Sequence, residues 1–200
     1  MSAFIEPLRR HGFAMTLFDL PAHGRSAGRS ATIIDCARAV LAVAEAAGPF
    51  DTVIAHSIGG LASLLAAEGA SPLPRATKFS RYVLLASPNR FSDVTRDYGE
   101  HLKLTAPAQR FFEWRLQRVG HRPLRTLQAR AILQRLAAPA LIVHSEDDLQ
   151  VPFSSAEEIC AGLPKAQLAR FSQLGHAKIL FAPPVIRMSR DFCNAQTATA

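Results

Sequence analysis

Ser57 stands in Ala55-His56-Ser57-Ile58-Gly59-Gly60, between the apolar run Thr52-Val53-Ile54-Ala55 and a helical pattern reaching about Glu68. A serine hydroxyl is a weak nucleophile and needs a base to take its proton as it attacks. A sharp strand-to-helix turn presents such a serine at its apex, and it demands small residues on both sides. Gly59 and Gly60 let the following helix pass close, and the Ile58 N–H at its start points at a developing oxyanion. A bare small-x-Ser-x-Gly match is often only a helix-capping serine, but a strand before and a helix after favour the nucleophile. Two further segments carry complementary groups. Leu141 to Pro152 reads as a strand running into an acidic loop with Asp147 and Asp148. A carboxylate there can hold an imidazole in the right tautomer and stabilise its charged form. His176, in Leu174-Gly175-His176, follows the last strand-like run and can swing over the strand ends.

The rest of the chain reads as the scaffold for these groups. Short apolar runs at 13–18, 52–55, 82–86, 140–144 and 166–171 alternate with helical patterns at 4–11, 33–47, 58–68, 153–162 and 183–192. This alternation predicts an α/β fold, with a mostly parallel sheet covered by helices on both faces. Thr32 with Asp35 three residues later is a capping-box pattern, and Gly48-Pro49 ends the helix behind it. Residues 89–139 are mostly helical in pattern and form an insertion between two strands, in the position of a lid. The expected organisation is therefore core over 1–88, helical lid over 89–139, core again over 140–192, and a frayed tail over 193–200.

A hydrophobic fraction of 48% with 20% charged residues fits one globular domain rather than a disordered chain. No apolar run approaches the roughly 18 residues a membrane span needs. No basic segment followed by an apolar stretch opens the chain, so a cytoplasmic location is expected. Cys36, Cys160 and Cys193 are odd in number and far apart, which suggests reduced thiols. His23 and His144 have no carboxylate or cysteine at ligand spacing, so no metal site is expected. His56 reads as a packed structural histidine. Residues 101–135 hold eight Lys or Arg and one acid, Glu113, so that segment carries the whole net charge of +7. Its simplest reading is a solvated helical face whose aromatics pack on the core, rather than a nucleic-acid or membrane site. Phe111, Phe112 and Trp114 are the candidates for an apolar substrate pocket there.

The elbow, the acidic loop and His176 together resemble the α/β-hydrolase superfamily, in particular small bacterial serine hydrolases of the esterase and peptidase-like branch. The order nucleophile, acid, histidine is that fold's order. Asp19-Leu20-Pro21-Ala22-His23-Gly24-Arg25-Ser26 resembles the family's Asp-x-x-Gly-x-Gly-x-Ser loop. His144-Ser145-Glu146-Asp147-Asp148-Leu149-Gln150-Val151-Pro152 resembles His-Gly-x-x-Asp-x-x-Val-Pro, which registers the acid on Asp148, with Asp147 the alternative one residue away. Ser145 and Ala55 stand where the family carries glycine. A serine in the elbow argues against dehalogenase and epoxide hydrolase chemistry, which use aspartate.

The resemblance implies a Ser57–His176–Asp148 triad acting on an ester, thioester or small amide, with a small-molecule acyl substrate and no cofactor. It also implies three strands ahead of the equivalent of residues 13–18. The third of these would end in a His-Gly loop supplying a second oxyanion N–H, and this sequence begins after it. In the family's sheet that strand lies between 13–18 and 52–55, and its loss leaves two buried edges unpaired. A fragment or misassigned start is the favoured explanation. The others are a short gene in which 13–18 slides over to pair with 52–55, and a gap filled by another chain. Losing one oxyanion donor costs about 10²–10³ in rate. The alternative function is therefore a degenerate, non-catalytic hydrolase-fold protein that binds a ligand or partner.

Overall fold

The structure, a computed structural model, describes residues 1–195. Four parallel strands make the sheet, in the order β1 (Thr52–His56), β2 (Arg81–Leu85), β3 (Ala140–Ser145) and β4 (Ala166–Phe171). Each strand ends within a residue or two of the run that its apolar sequence predicts. Alternation along β2 and β3 shows why both faces need cover. Tyr82, Leu84, Ala140 and Ile142 point into one apolar core, and Val83, Leu85, Leu141 and Val143 into the other. Successive strand side chains point to opposite faces, so a sheet that is apolar on both must be sandwiched.

Helices α2 (Ile33–Ala47), α3 (Ile58–Glu68), α6 (Ala129–Leu136) and α7 (Ser154–Cys160) fill the first layer. Helices α1 (Ile5–Arg9) and α9 (Pro183–Asn194) fill the second. The capping box forms at the start of α2. Thr32 Oγ1 accepts from the Asp35 N–H at 3.1 Å, and the Asp35 carboxylate accepts from the Thr32 N–H at 3.0 Å. Gly48 caps the other end. Helix α9 runs through Asn194, so Cys193 and Asn194 of the expected tail are helical, and residues 196–200 lie outside the described ones.

Between β2 and β3 the chain is helical, as its pattern predicts, in α4 (Phe91–His101), α5 (Ala106–Gly120) and α6. Helix α6 belongs to the core rather than to a cover, because Ala129, Ile132 and Leu133 are buried against the layer that holds α3. All three cysteines are free, and burial pushes the Cys160 and Cys193 thiols up to about 11. Among the described residues no helix is long and apolar enough to cross a membrane.

One expected strand is not there. Residues 13–18 form no ladder, and Leu17 and Phe18 are exposed. A strand exists only by pairing its backbone groups, and this segment is held away from β1 by a cavity of about 420 Å³. Leu8, Phe13, Met15, Phe50, Val53 and Ile54 are among its lining residues. The slide that would pair 13–18 with 52–55 has not occurred, and among the described residues β1 pairs on one side only.

The ladder fixes which groups face the opening. The Ser57 N–H donates to Leu85 O at 2.8 Å, and Asp51 O accepts from the Arg81 N–H at 3.2 Å. Period-two alternation then turns the N–H groups of Val53 and Ala55 toward β2 and those of Thr52 and Ile54 toward the cavity. We expect the Ile54 amide to exchange with solvent deuterium at least about tenfold faster than that of Ala55. Equal protection of the two, read by NMR, would mean that the edge is covered.

Candidate active site

Parallel strands in register deliver their following loops to one end of the sheet, and Ser57, Asp148 and His176 are all carried by segments that leave it there. Ser57 leaves β1 with φ +53° and ψ −130°, a left-handed conformation uncommon for a residue with a side chain. Backbone of this kind costs about 1–3 kcal/mol and persists where the surroundings enforce it. The positive φ falls on Ser57 and not on Ala55, which explains why alanine serves where the family carries glycine. Gly60 is the tight position. A Cβ there would collide with Ser87 Oγ, whereas one on Gly59 would make ordinary contacts with Leu20 Cδ1 at 3.7 Å and Ala55 Cβ at 3.9 Å. Ile58 opens α3, so its N–H is among those a helix leaves without an internal partner. The loop before α2 closes on itself nearby. Asp19 Oδ2 accepts from the Arg25 N–H at 2.9 Å, and Gly24 has φ +51° with its Cβ position against that carboxylate.

Asp148 and His176 are in direct contact. His176 Nδ1–H donates to Asp148 Oδ2 at 2.8 Å. The carboxylate is fully buried, and its Oδ1 accepts from the Gln150 and Val151 N–H groups at 2.8 and 3.0 Å. His144 Nε2 lies 3.4 Å from Oδ2 and donates to Val151 O at 2.9 Å. Burial alone would raise the Asp148 carboxyl. The hydrogen bonds from His144, His176 and the two backbone amides outweigh it and hold the group well below the usual carboxylate range. Asp147 is engaged differently. It accepts from Ser145 Oγ and from the Gly175 N–H, the latter at 3.2 Å, and is not bonded to the His176 ring.

Two residues, Ser145 and His56, hold the arrangement in roles that their sequence context did not give them. Ser145 Oγ accepts from the Leu174 N–H at 3.2 Å while donating to Asp147, so these two residues clasp the acidic loop to the segment carrying His176. The signal was there in Ser145, which departs from the family's glycine. His56, expected to be merely packed, donates from Nε2 to His176 O at 2.8 Å, with the two rings 4.6 Å apart. Desolvation lowers the His56 pKa and outweighs the opposing bond to that carbonyl. Among the described residues no hydrogen bond yet joins Ser57 Oγ to His176, a bond that often tightens only around substrate. Phe111 and Trp114 are exposed and stack on each other with centroids 5.6 Å apart, and Phe112 lies beside Tyr98. None of the three lines the cavity beside β1. No cluster of metal-ligating side chains occurs among the described residues.

A four-stranded parallel core, an elbow serine and an Asp–His pair at the strand ends describe one class of protein. The chain belongs to the alpha/beta hydrolase family, which it matches over residues 1–185. Among curated relatives it is 36% identical over 75 residues to a Pseudomonas savastanoi pv. phaseolicola protein named for carbamate hydrolysis, RutD. It is 39% identical over 54 residues to the pimeloyl-[acyl-carrier protein] methyl ester esterase of Aromatoleum aromaticum. These matches span 37% and 27% of this chain but only 29% and 22% of those proteins. Its fold is similar to that of Est1E from Butyrivibrio proteoclasticus, solved with ferulic acid, with a TM-score of 0.70 at 19% identity over 97% of this chain and 83% of that one. Esterase EaEST from Exiguobacterium antarcticum gives a TM-score of 0.60 at 17% identity, over 88% and 80% of the two chains.

Two outcomes test this geometry. Gly60→Ala should lower stability by about 1–3 kcal/mol in urea denaturation, because the added methyl meets a buried side chain. Asp148 is the pH-dependent element. Its folded pKa lies below the unfolded value of about 3.9, so its stabilisation is complete above that value and fades as pH falls toward the folded one. The stability difference between wild type and Asp148→Asn should therefore be largest near pH 7 and shrink below about pH 4.

Proposed function

We propose that this chain is a serine hydrolase that cleaves an ester, thioester or small amide through an acyl-enzyme on Ser57. The observation that carries the proposal is the 2.8 Å bond from His176 Nδ1 to the buried Asp148 carboxylate, at the sheet end where the strained Ser57 also lies. With Nδ1–H spent on Asp148, Nε2 is the free base. Ser57 Oγ attacks the acyl carbon as His176 Nε2 takes its proton. The Ile58 N–H then stabilises the oxyanion. Collapse breaks the bond to the leaving group, which receives the proton from His176. Water repeats the sequence on the acyl-enzyme and regenerates Ser57. Asp148 stays ionised throughout and offsets the charge on the imidazolium. Relatives named for carbamate and methyl ester cleavage fit an acyl substrate of this kind.

A second reading has its own support in the open flank of β1, where the family's oxyanion loop would arrive. A site of this kind can also bind an acyl compound without turning it over. The two readings part in one experiment. A fluorophosphonate probe should label the wild-type chain, and Ser57→Ala should abolish the label. Asp148→Asn should slow p-nitrophenyl acetate turnover by about 10⁴-fold through the wrong tautomer. Labelling that survives Ser57→Ala would sink the nucleophile assignment. Labelling without turnover in folded protein would favour the binding reading.

A further inference from the structure

Helix α5 turns a continuous arc of basic and aromatic side chains to solvent. Its exposed residues from Pro107 onward are Arg110, Phe111, Trp114, Arg115, Arg118 and Val119. At 100° per residue, Arg110 and Arg115 stand about 140° apart, with Trp114, Arg118 and Phe111 between them. The aromatics do not pack down on the core as the sequence suggested. Phe111 is 63% exposed and Trp114 50%, and the Arg118 guanidinium lies over the indole at 5.9 Å. Only Phe112, on the inward side, meets a neighbour from α4.

The opposite charges of this region are turned inward. Glu113, the one acid between residues 101 and 135, accepts from Gln109 Nε2 at 2.6 Å and faces Thr95 of α4. Arg122 and Arg135 are both spent on Glu68. Among the described residues Arg110, Arg115 and Arg118 pair with no carboxylate. The outward face is therefore purely cationic and apolar, in a segment that carries the whole net charge of the chain.

We propose that this face of α5 docks on an anionic lipid surface. Aromatic side chains alternating with arginines suit the headgroup boundary, where Phe111 and Trp114 enter the acyl margin and the guanidiniums reach lipid phosphates. A nucleic-acid groove would use the aromatics for stacking and gains nothing from Val119, and nothing on this convex face grips an acidic protein in a pocket. The mode is peripheral and independent of the Ser57 chemistry, so either can fail alone.

Trp114 is the only tryptophan, so its fluorescence reports this face directly. Phosphatidylcholine vesicles carrying about one third phosphatidylglycerol should sediment the protein and shift its emission to shorter wavelength. Raising the salt should weaken binding at least about tenfold, as should the triple change Arg110→Gln, Arg115→Gln, Arg118→Gln. Phe111→Ser alone should weaken it without altering the salt dependence. Circular dichroism matching wild type establishes that each variant is folded, and the salt series on the unaltered chain stands whether or not they are. The proposal fails if the anionic vesicles bind no protein, or if pure phosphatidylcholine binds equally well. It fails also if sedimentation occurs with Trp114 emission unmoved. Tighter binding to an oligonucleotide or to polyglutamate than to vesicles would assign the face to another class of partner.

Discussion

The parallel ladder from β1 to β4 is the constraint on which everything else rests. Parallel strands in register release their chains at the same end, so the turns after β1, β3 and β4 crowd together although more than a hundred residues separate the first from the last. The hydrogen bond from the Ser57 N–H to Leu85 O is the last rung on its side, and it holds the strained elbow in place. Without that anchor a residue with a side chain would relax from φ +53°. The Asp148 carboxylate depends on the same register, since its partners come from the loop after β3 and from the segment after β4.

Around that carboxylate the protein solves a problem of burial by supplying donors. An ionised group removed from water is tolerated only when its acceptor sites are filled. Backbone amides fill one oxygen and histidines approach the other, so the negative charge is fixed rather than free to take a proton. The hydroxyl of Ser145 and the exposed carboxylate of Asp147 act at one remove, tying backbone to backbone so that His176 keeps its distance from Asp148. His56 does the same from the side of the elbow.

Much of this was legible from residue types. Strands β1 to β4, the capping box at Thr32 and the elbow follow from periodicity and turn chemistry, which are local. The choice between Asp147 and Asp148 was not local. The motif resemblance favoured Asp148 by one residue of register, and the course of the loop turns Asp148 inward to His176 and Asp147 to Gly175. The segment 13–18 misled for the complementary reason. Its composition suits a strand, but a strand is a relation between two edges, and none of the described strands pairs with it. Phe111 and Trp114 misled because a helix pattern gives spacing but not which side meets the core, and the inward side of α5 is led by Phe112, Glu113 and Leu116.

The open flank of β1 has a consequence for how the polypeptide behaves in quantity. Edges of sheets are ordinarily guarded by charge, proline or a covering element. Here the outward-facing donors and acceptors of half-buried Thr52 and Ile54 sit beside a largely apolar trough, with only Pro49 and Asp51 of its lining to guard it. Two molecules meeting at that trough can each offer the other what its own edge lacks. Such a contact uses the same edge on both molecules, so it closes as a two-fold pair rather than propagating.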